Sequence, residues 1–81
     1  MMNECLVKMF TASMPINNCS DERLKLVVYG CAYMELLRLK NYSVIGIVEM
    51  FSNNEKAEVR TLQVRVTFEE IEDKKERWEL N

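Results

Sequence analysis

Hydrophobic and polar residues alternate most regularly between Val59 and Glu70. Leu62, Val64, Val66 and Phe68 fall on one side, and Thr61, Gln63, Arg65, Thr67 and Glu69 on the other. A period of two is the pattern of a half-buried strand. Tyr42 to Phe51 carries the β-branched pairs Val44-Ile45 and Ile47-Val48, with apolar residues on both faces, which predicts a strand that is central or covered twice. The polar run Ser52 to Lys56 joins these two segments into a long antiparallel hairpin. Glu4 to Ala12 also alternates, Cys5, Val7 and Met9 against Leu6, Lys8 and Phe10, and predicts a first strand.

Between the first strand and the hairpin the apolar period lengthens to that of a helix. Pro15 blocks regular continuation, and Asn17, Asn18, Cys19 and Ser20 supply turn and cap chemistry. Ser20 is the expected N-cap, with Asp21 and Glu22 placed against the positive end of the helix dipole. Asp21 to Lys40 reads as one helix with a broad apolar stripe of Leu24, Val27, Val28, Cys31, Ala32, Leu36, Leu37 and Leu39; Arg23, Lys25, Glu35, Arg38 and Lys40 form its wet side. Asn41 suits a left-handed residue after the last turn. Gly30, in mid-helix, predicts close packing against a strand, or a flat ligand platform beside Tyr29 and Tyr33. Ile71 to Leu80 is expected to form a short final helix supported by Glu70–Lys74 and Asp73–Arg77, with Ile71 and Trp78 on one face. The expected architecture is one α+β domain over residues 1–81, ordered β-α-β-β. A long helix packs on a three-stranded, mainly antiparallel sheet with a long C-terminal hairpin, and residues 70–81 form an acidic tail.

Composition narrows the chemistry. Eighty-one residues leave room for one small core. The absence of histidine removes the commonest general base, the commonest metal ligand and the usual partner of a serine or cysteine nucleophile. Cys5, Cys19 and Cys31 cannot all pair within one molecule and have no CxxC spacing; they read as small apolar residues. Gly30 and Gly46 stand alone, so no glycine-rich phosphate loop exists. The adjacent carboxylates Asp21-Glu22 and Glu69-Glu70 point in different directions within a helix or strand. No catalytic residue, cofactor site or metal ligand is expected, and the chain is not read as an enzyme. No apolar run is long enough to span a membrane, and Glu4 stands where a signal peptide would be basic, so a cytoplasmic protein is expected. A formal net charge of −2 argues against a nucleic-acid surface.

Surfaces remain. One helix and three strands cannot cover both faces of the Tyr42–Phe51 strand, which leaves either Ile45, Ile47 and Phe51 or Val44, Val48 and Met50 for a second chain, identical or foreign. Homo-oligomerisation through this strand is expected. The tail gathers Glu69, Glu70, Glu72, Asp73, Glu76 and Glu79 around Lys74, Lys75 and Arg77. The candidate partner-binding residues are therefore Ile45, Ile47, Phe51, Glu69, Glu70, Glu72, Asp73, Glu76 and Trp78. They point to a non-catalytic protein-binding module, a small inhibitor or regulator that occludes or bridges a partner's surface.

The order strand, helix, strand, strand is loosely similar to that of the dodecins, small flavin-binding assemblies whose sheets wrap around their helices. Arg60-Thr61-Leu62-Gln63 followed by Val64-Arg65-Val66-Thr67-Phe68-Glu69 resembles that family's last strand, with its glutamine and V-x-V-x-F run. The family's flavin-stacking tryptophan has no counterpart, since Tyr42 stands near that place and Trp78 lies in the tail. The resemblance covers about a third of the chain and implies a second class of function, a homo-oligomer that binds a flat, flavin-like ligand. In size and residue inventory the chain is also similar to small phage-encoded inhibitors.

Overall fold

The strand with the cleanest alternation stands at the centre of the sheet. The computed structural model describes residues 4–71, in the order β1 (Cys5–Pro15), a 3-10 turn (Ile16–Asn18), α1 (Asp21–Arg38), β2 (Tyr42–Asn54) and β3 (Val59–Glu70). The sheet order is β1-β3-β2, with β3 antiparallel to both neighbours. One long helix therefore packs on a three-stranded antiparallel sheet, an α+β domain. The expectation of a central β2 is corrected, because β2 is an edge strand and β3 takes the centre. Strand β3 places Leu62, Val64, Val66 and Phe68 under the helix, each at most 1% exposed. Pro15 ends β1 on the other edge, where its missing N–H removes little from the ladder. Among the described residues no helix is long and apolar enough to cross a membrane.

Register decides which side chains share a face, since residues directly opposite in an antiparallel ladder point the same way. Leu6, Lys8, Phe10 and Ala12 stand opposite Phe68, Val66, Val64 and Leu62. On β2, Ile47, Glu49 and Phe51 stand opposite Val66, Val64 and Leu62, and Val44 opposite Phe68. The register slips between Val44 and Gly46, a bulge at Ile45. Strict alternation groups Val44 with Val48 and Met50. The extra residue instead moves Val44 to the helix side with Ile47 and Phe51, and leaves Gly46, Val48 and Met50 on the opposite face.

Ser20 caps α1, its Oγ accepting from the Arg23 amide at 3.3 Å, and Asn41 follows the helix in the left-handed region at φ 67°. Leu24, Val28 and Ala32 are buried, while Val27 and Leu37 of the predicted stripe are 52% and 57% exposed and Cys31 is exposed. Glu35, assigned to the wet side, instead turns toward β1. It accepts from Lys8 Nζ and, at 2.8 Å, from Arg38 Nη1, a placement that lets the Lys8 stem cover apolar surface on the helix side of β1. At the other end of α1, Arg60 of β3 grips Asp21 with Nε–Oδ1 at 2.7 Å and Nη2–Oδ2 at 3.2 Å. Gly30 faces away from the sheet, and among the described residues a Cβ built there meets nothing within 4 Å; no described strand makes the expected close approach. The expected terminal helix, and with it Glu72, Asp73, Glu76 and Trp78, lies outside the described residues, apart from Ile71, whose amide donates to Asn41 O at 2.6 Å.

The hairpin turn contains one strained residue. Glu58 sits at φ 55°, a region that costs a side-chain-bearing residue roughly 1–2 kcal/mol. Glu58→Gly is expected to relieve that cost, partly offset by the greater freedom of glycine in the unfolded chain, for a net gain up to about 1 kcal/mol. Thermal melting should rise by several degrees, about 4–8 °C per kcal/mol in a domain of this size; a fall would show that Glu58 holds the turn by other means. Asn41→Gly should change little, because asparagine already tolerates this conformation.

Candidate functional site

Among the described residues, nothing covers the sheet face turned away from α1. Its central column, from β3, is Thr61, Gln63, Arg65, Thr67 and Glu69. The ladder sets Met9 and Val48 on either side of Arg65, Thr11 and Met50 beside Gln63, and Val7 and Gly46 beside Thr67. Val7, Met9, Val48 and Met50 are 46–61% exposed. Arg65 is exposed and makes no ion pair among the described residues. A guanidinium framed by methionine and valine is the composition found at the centre of protein interfaces, where Met and Arg are enriched and other charges depleted.

Among the described residues, the helix layer has a second uncovered region. Leu26, Gly30, Tyr33 and Leu37 recur along the solvent side of α1 at helical spacing, with Val27 and Met34 beside them, so the helix is apolar on its outer face as well as its core face. Because α1 lies mainly over β1 and β3, β2 is left half covered, and a cavity of about 360 Å³ opens between them. Tyr29, Ala32, Tyr33, Leu36, Val44, Ile47 and Val66 line it. At its rim Tyr29 donates its hydroxyl hydrogen to the Glu49 carboxylate, and Lys25 Nζ lies 4.0 Å from Glu49 Oε1.

Ile47 lines this cavity, whereas Phe51 packs on the core with the Arg60 guanidinium 4.8 Å from its ring centroid. Ile45 sits in the bulge, half exposed. Glu69 belongs to the open sheet face between Cys5 and Ser43, and Glu70 lies at the sheet's end, where Glu4 N is 3.5 Å from its Oε1. These five residues therefore do not form one surface. Reasoning from the sequence missed the contribution of β1, Val7 and Met9, and the outer stripe of α1. The latter had a signal in the spacing of Leu26, Tyr33 and Leu37, but only Leu37 entered the expected apolar stripe, where it stood among core-facing positions, and Leu26 and Tyr33 stood outside that stripe.

Among the described residues five groups titrate away from their ordinary values, Arg60 among them, raised by its hydrogen bond to Asp21. The Arg60 guanidinium holds Asp21 below its usual 3.8, and Lys8, with Arg38 adding to it, holds Glu35 below 4.5. Burial and then the Glu49 carboxylate push Tyr29 up to about 12; for Tyr42 the hydrogen bond to Glu4 comes first, burial second, and the result is also about 12. The native carboxylates bind protons more weakly than the unfolded ones, so their stabilisation is complete above those ordinary values and is lost as pH falls through the lowered native ones. The native tyrosines hold their protons more tightly, so their stabilisation is complete below pH 10.0 and is lost as pH rises toward 12. Asp21→Asn should flatten the acid limb of a stability–pH curve, and Tyr42→Phe the alkaline limb. Curves that coincide with the wild type would show these contacts to be absent in solution.

Among the described residues, no three His, Cys, Asp or Glu side chains stand close enough together to hold a metal ion, and no buried side-chain polar atom lacks a partner. Cys5, Cys19 and Cys31 are all unpaired. Comparison with protein-family models, curated proteins and solved structures finds no match. The likeness to the dodecins thus rests on element order and the β3 pattern. Gln63 of that pattern lies on the open sheet face, and Tyr42 is half-buried at the start of β2 with its hydroxyl 2.6 Å from Glu4 Oε1.

Proposed function

We propose that this chain is a non-catalytic protein-binding module, a small inhibitor or regulator that occludes or bridges a partner's surface through the open face of its sheet. The observation that supports it is the exposed frame of Val7, Met9, Val48 and Met50 around Arg65, which makes no ion pair among the described residues. Its partner is a protein presenting an apolar patch with a carboxylate to meet that guanidinium, a contact of the charge-assisted kind. Three unpaired thiols fit a reducing compartment, and the cytoplasm is the proposed location. The acidic tail, Glu72, Asp73 and Glu76, would steer encounter with basic surroundings of that patch.

The cavity favours a second reading, a homo-oligomer that holds a flat, flavin-like ligand against Tyr29 and Tyr33; its volume lies within the range of small-molecule sites. The purified full chain separates the two. Under the first reading it is colourless, and partners captured by the wild type are lost by Arg65→Glu with unchanged circular dichroism. Visible flavin absorbance that disappears with Tyr33→Ala would replace the first reading with the second.

A further inference from the structure

We infer that the outer face of α1 is covered by α1 of a second copy, packed antiparallel with Gly30 at the crossing point. The inference rests on the binding-module reading and deepens it: two chains joined through their helices turn their open sheet faces outward, which is the geometry a bridging protein needs.

The amount of surface fits one further chain. Leu26, Val27, Tyr33, Met34 and Leu37, at 52–76% exposure, together leave on the order of 700 Å², against the ~800 Å² per partner of a standard stable interface. The stripe carries no charge between Leu26 and Leu37 except at its flanks, whereas the open sheet face has Arg65 and Gln63 at its centre. Self-association that must desolvate its middle therefore favours the helix face.

The stripe is also complementary to itself. In a two-fold antiparallel pair centred on Gly30, Leu26 meets the partner's Met34, Val27 meets the partner's Tyr33, and each Gly30 faces the other. A two-fold interface requires this reciprocity. Gly30 weakens the helix it sits in, yet among the described residues of one chain nothing comes within 4 Å of the space where its Cβ would be. A glycine at a helix crossing lets the two backbones come close, so the dimer gives it a use that the monomer does not. Charge selects the direction. Glu22 in the first turn and Lys40 just past the last make no ion pair among the described residues; antiparallel packing brings each to the end of the helix that carries the other. Parallel packing would set like against like, and it would align the helix dipoles unfavourably.

Sedimentation equilibrium of the untagged full chain, from low micromolar to roughly 200 μM, reads the association directly, since weak specific interfaces fall in this range. A monomer–dimer equilibrium is expected. Leu26→Glu with Met34→Glu should leave a monomer of unchanged circular dichroism. Gly30→Ala should weaken the dimer by about tenfold or more while raising the melting temperature of the dilute monomer, opposite effects that a purely structural role for Gly30 does not produce. A wild-type monomer at the highest concentration would overturn the inference. So would a dimer that survives the double substitution, or one dissociated only by Val48→Glu or Met50→Glu on the sheet. Failure here is distinguishable from failure of the binding reading, which stands or falls on whether Arg65→Glu abolishes partner capture, whatever the state of association.

Discussion

Phe68→Ala is expected to leave the domain largely unfolded near physiological temperature. Phe68 is fully buried, paired across the sheet with Leu6 and Val44, and is among the largest enclosed side chains. Truncating such a residue costs about 3–5 kcal/mol, as lost transfer energy plus the cavity left behind. Small domains sit toward the lower end of the ~5–15 kcal/mol typical of native proteins, so this single change removes much of the total. Leu24→Ala, on the opposing helix, should cost about 2–5 kcal/mol by the same mechanism. Urea titration followed by circular dichroism checks both. A shift in midpoint with an unchanged slope is expected, and a loss under about 1 kcal/mol at Phe68 would contradict the placement of the core.

Met9→Glu combined with Met50→Glu should abolish partner binding without touching stability. Both side chains stand more than half exposed on the open sheet face, flanking Arg65 and Gln63 from β1 and β2, so no native packing is lost. At the centre of an interface each position falls where truncation commonly costs ~2 kcal/mol or more, and a buried, unpaired carboxylate adds a desolvation penalty. Two such changes should lower affinity by at least about a thousandfold. Melting within about 2 °C of the wild type, with binding retained, would show the sheet face to be solvated rather than functional.

Much of the fold was legible because local chemistry and global packing agree there. Strand β3 spans Val59–Glu70 as its alternation predicts, Ser20 caps the helix, and Asn41 turns left-handed after it. The misreadings share a cause: patterning counts apolar positions but does not say what covers them. Val44 to Val48 is apolar on both faces, which reads as central, yet the strand lies at an edge beside an incompletely filled groove. Its bulge at Ile45 is silent in the sequence because Val44 and Ile45 are both β-branched, so a one-residue slip leaves the composition of the run unchanged while moving Val44 to the other face. Glu35 reads as a solvent residue because it is charged, and it is β1's Lys8, far away in sequence, that accounts for its inward turn. For the site, the sequence indicated an apolar surplus on the hairpin but not that β1 completes the face, a matter of strand order that no local pattern encodes.

Site-specific photo-crosslinking in the living host tests the central claim most directly, with the reactive amino acid placed at position 50 on the sheet face or at position 37 on the outer helix. Position 50 is expected to join the chain to a foreign protein, with the product lost in Arg65→Glu. Position 37 is expected to join it to a second copy of itself. A chain that forms no foreign adduct from position 50, yet does so from position 37, would contradict the assignment of the open sheet face as the surface that binds.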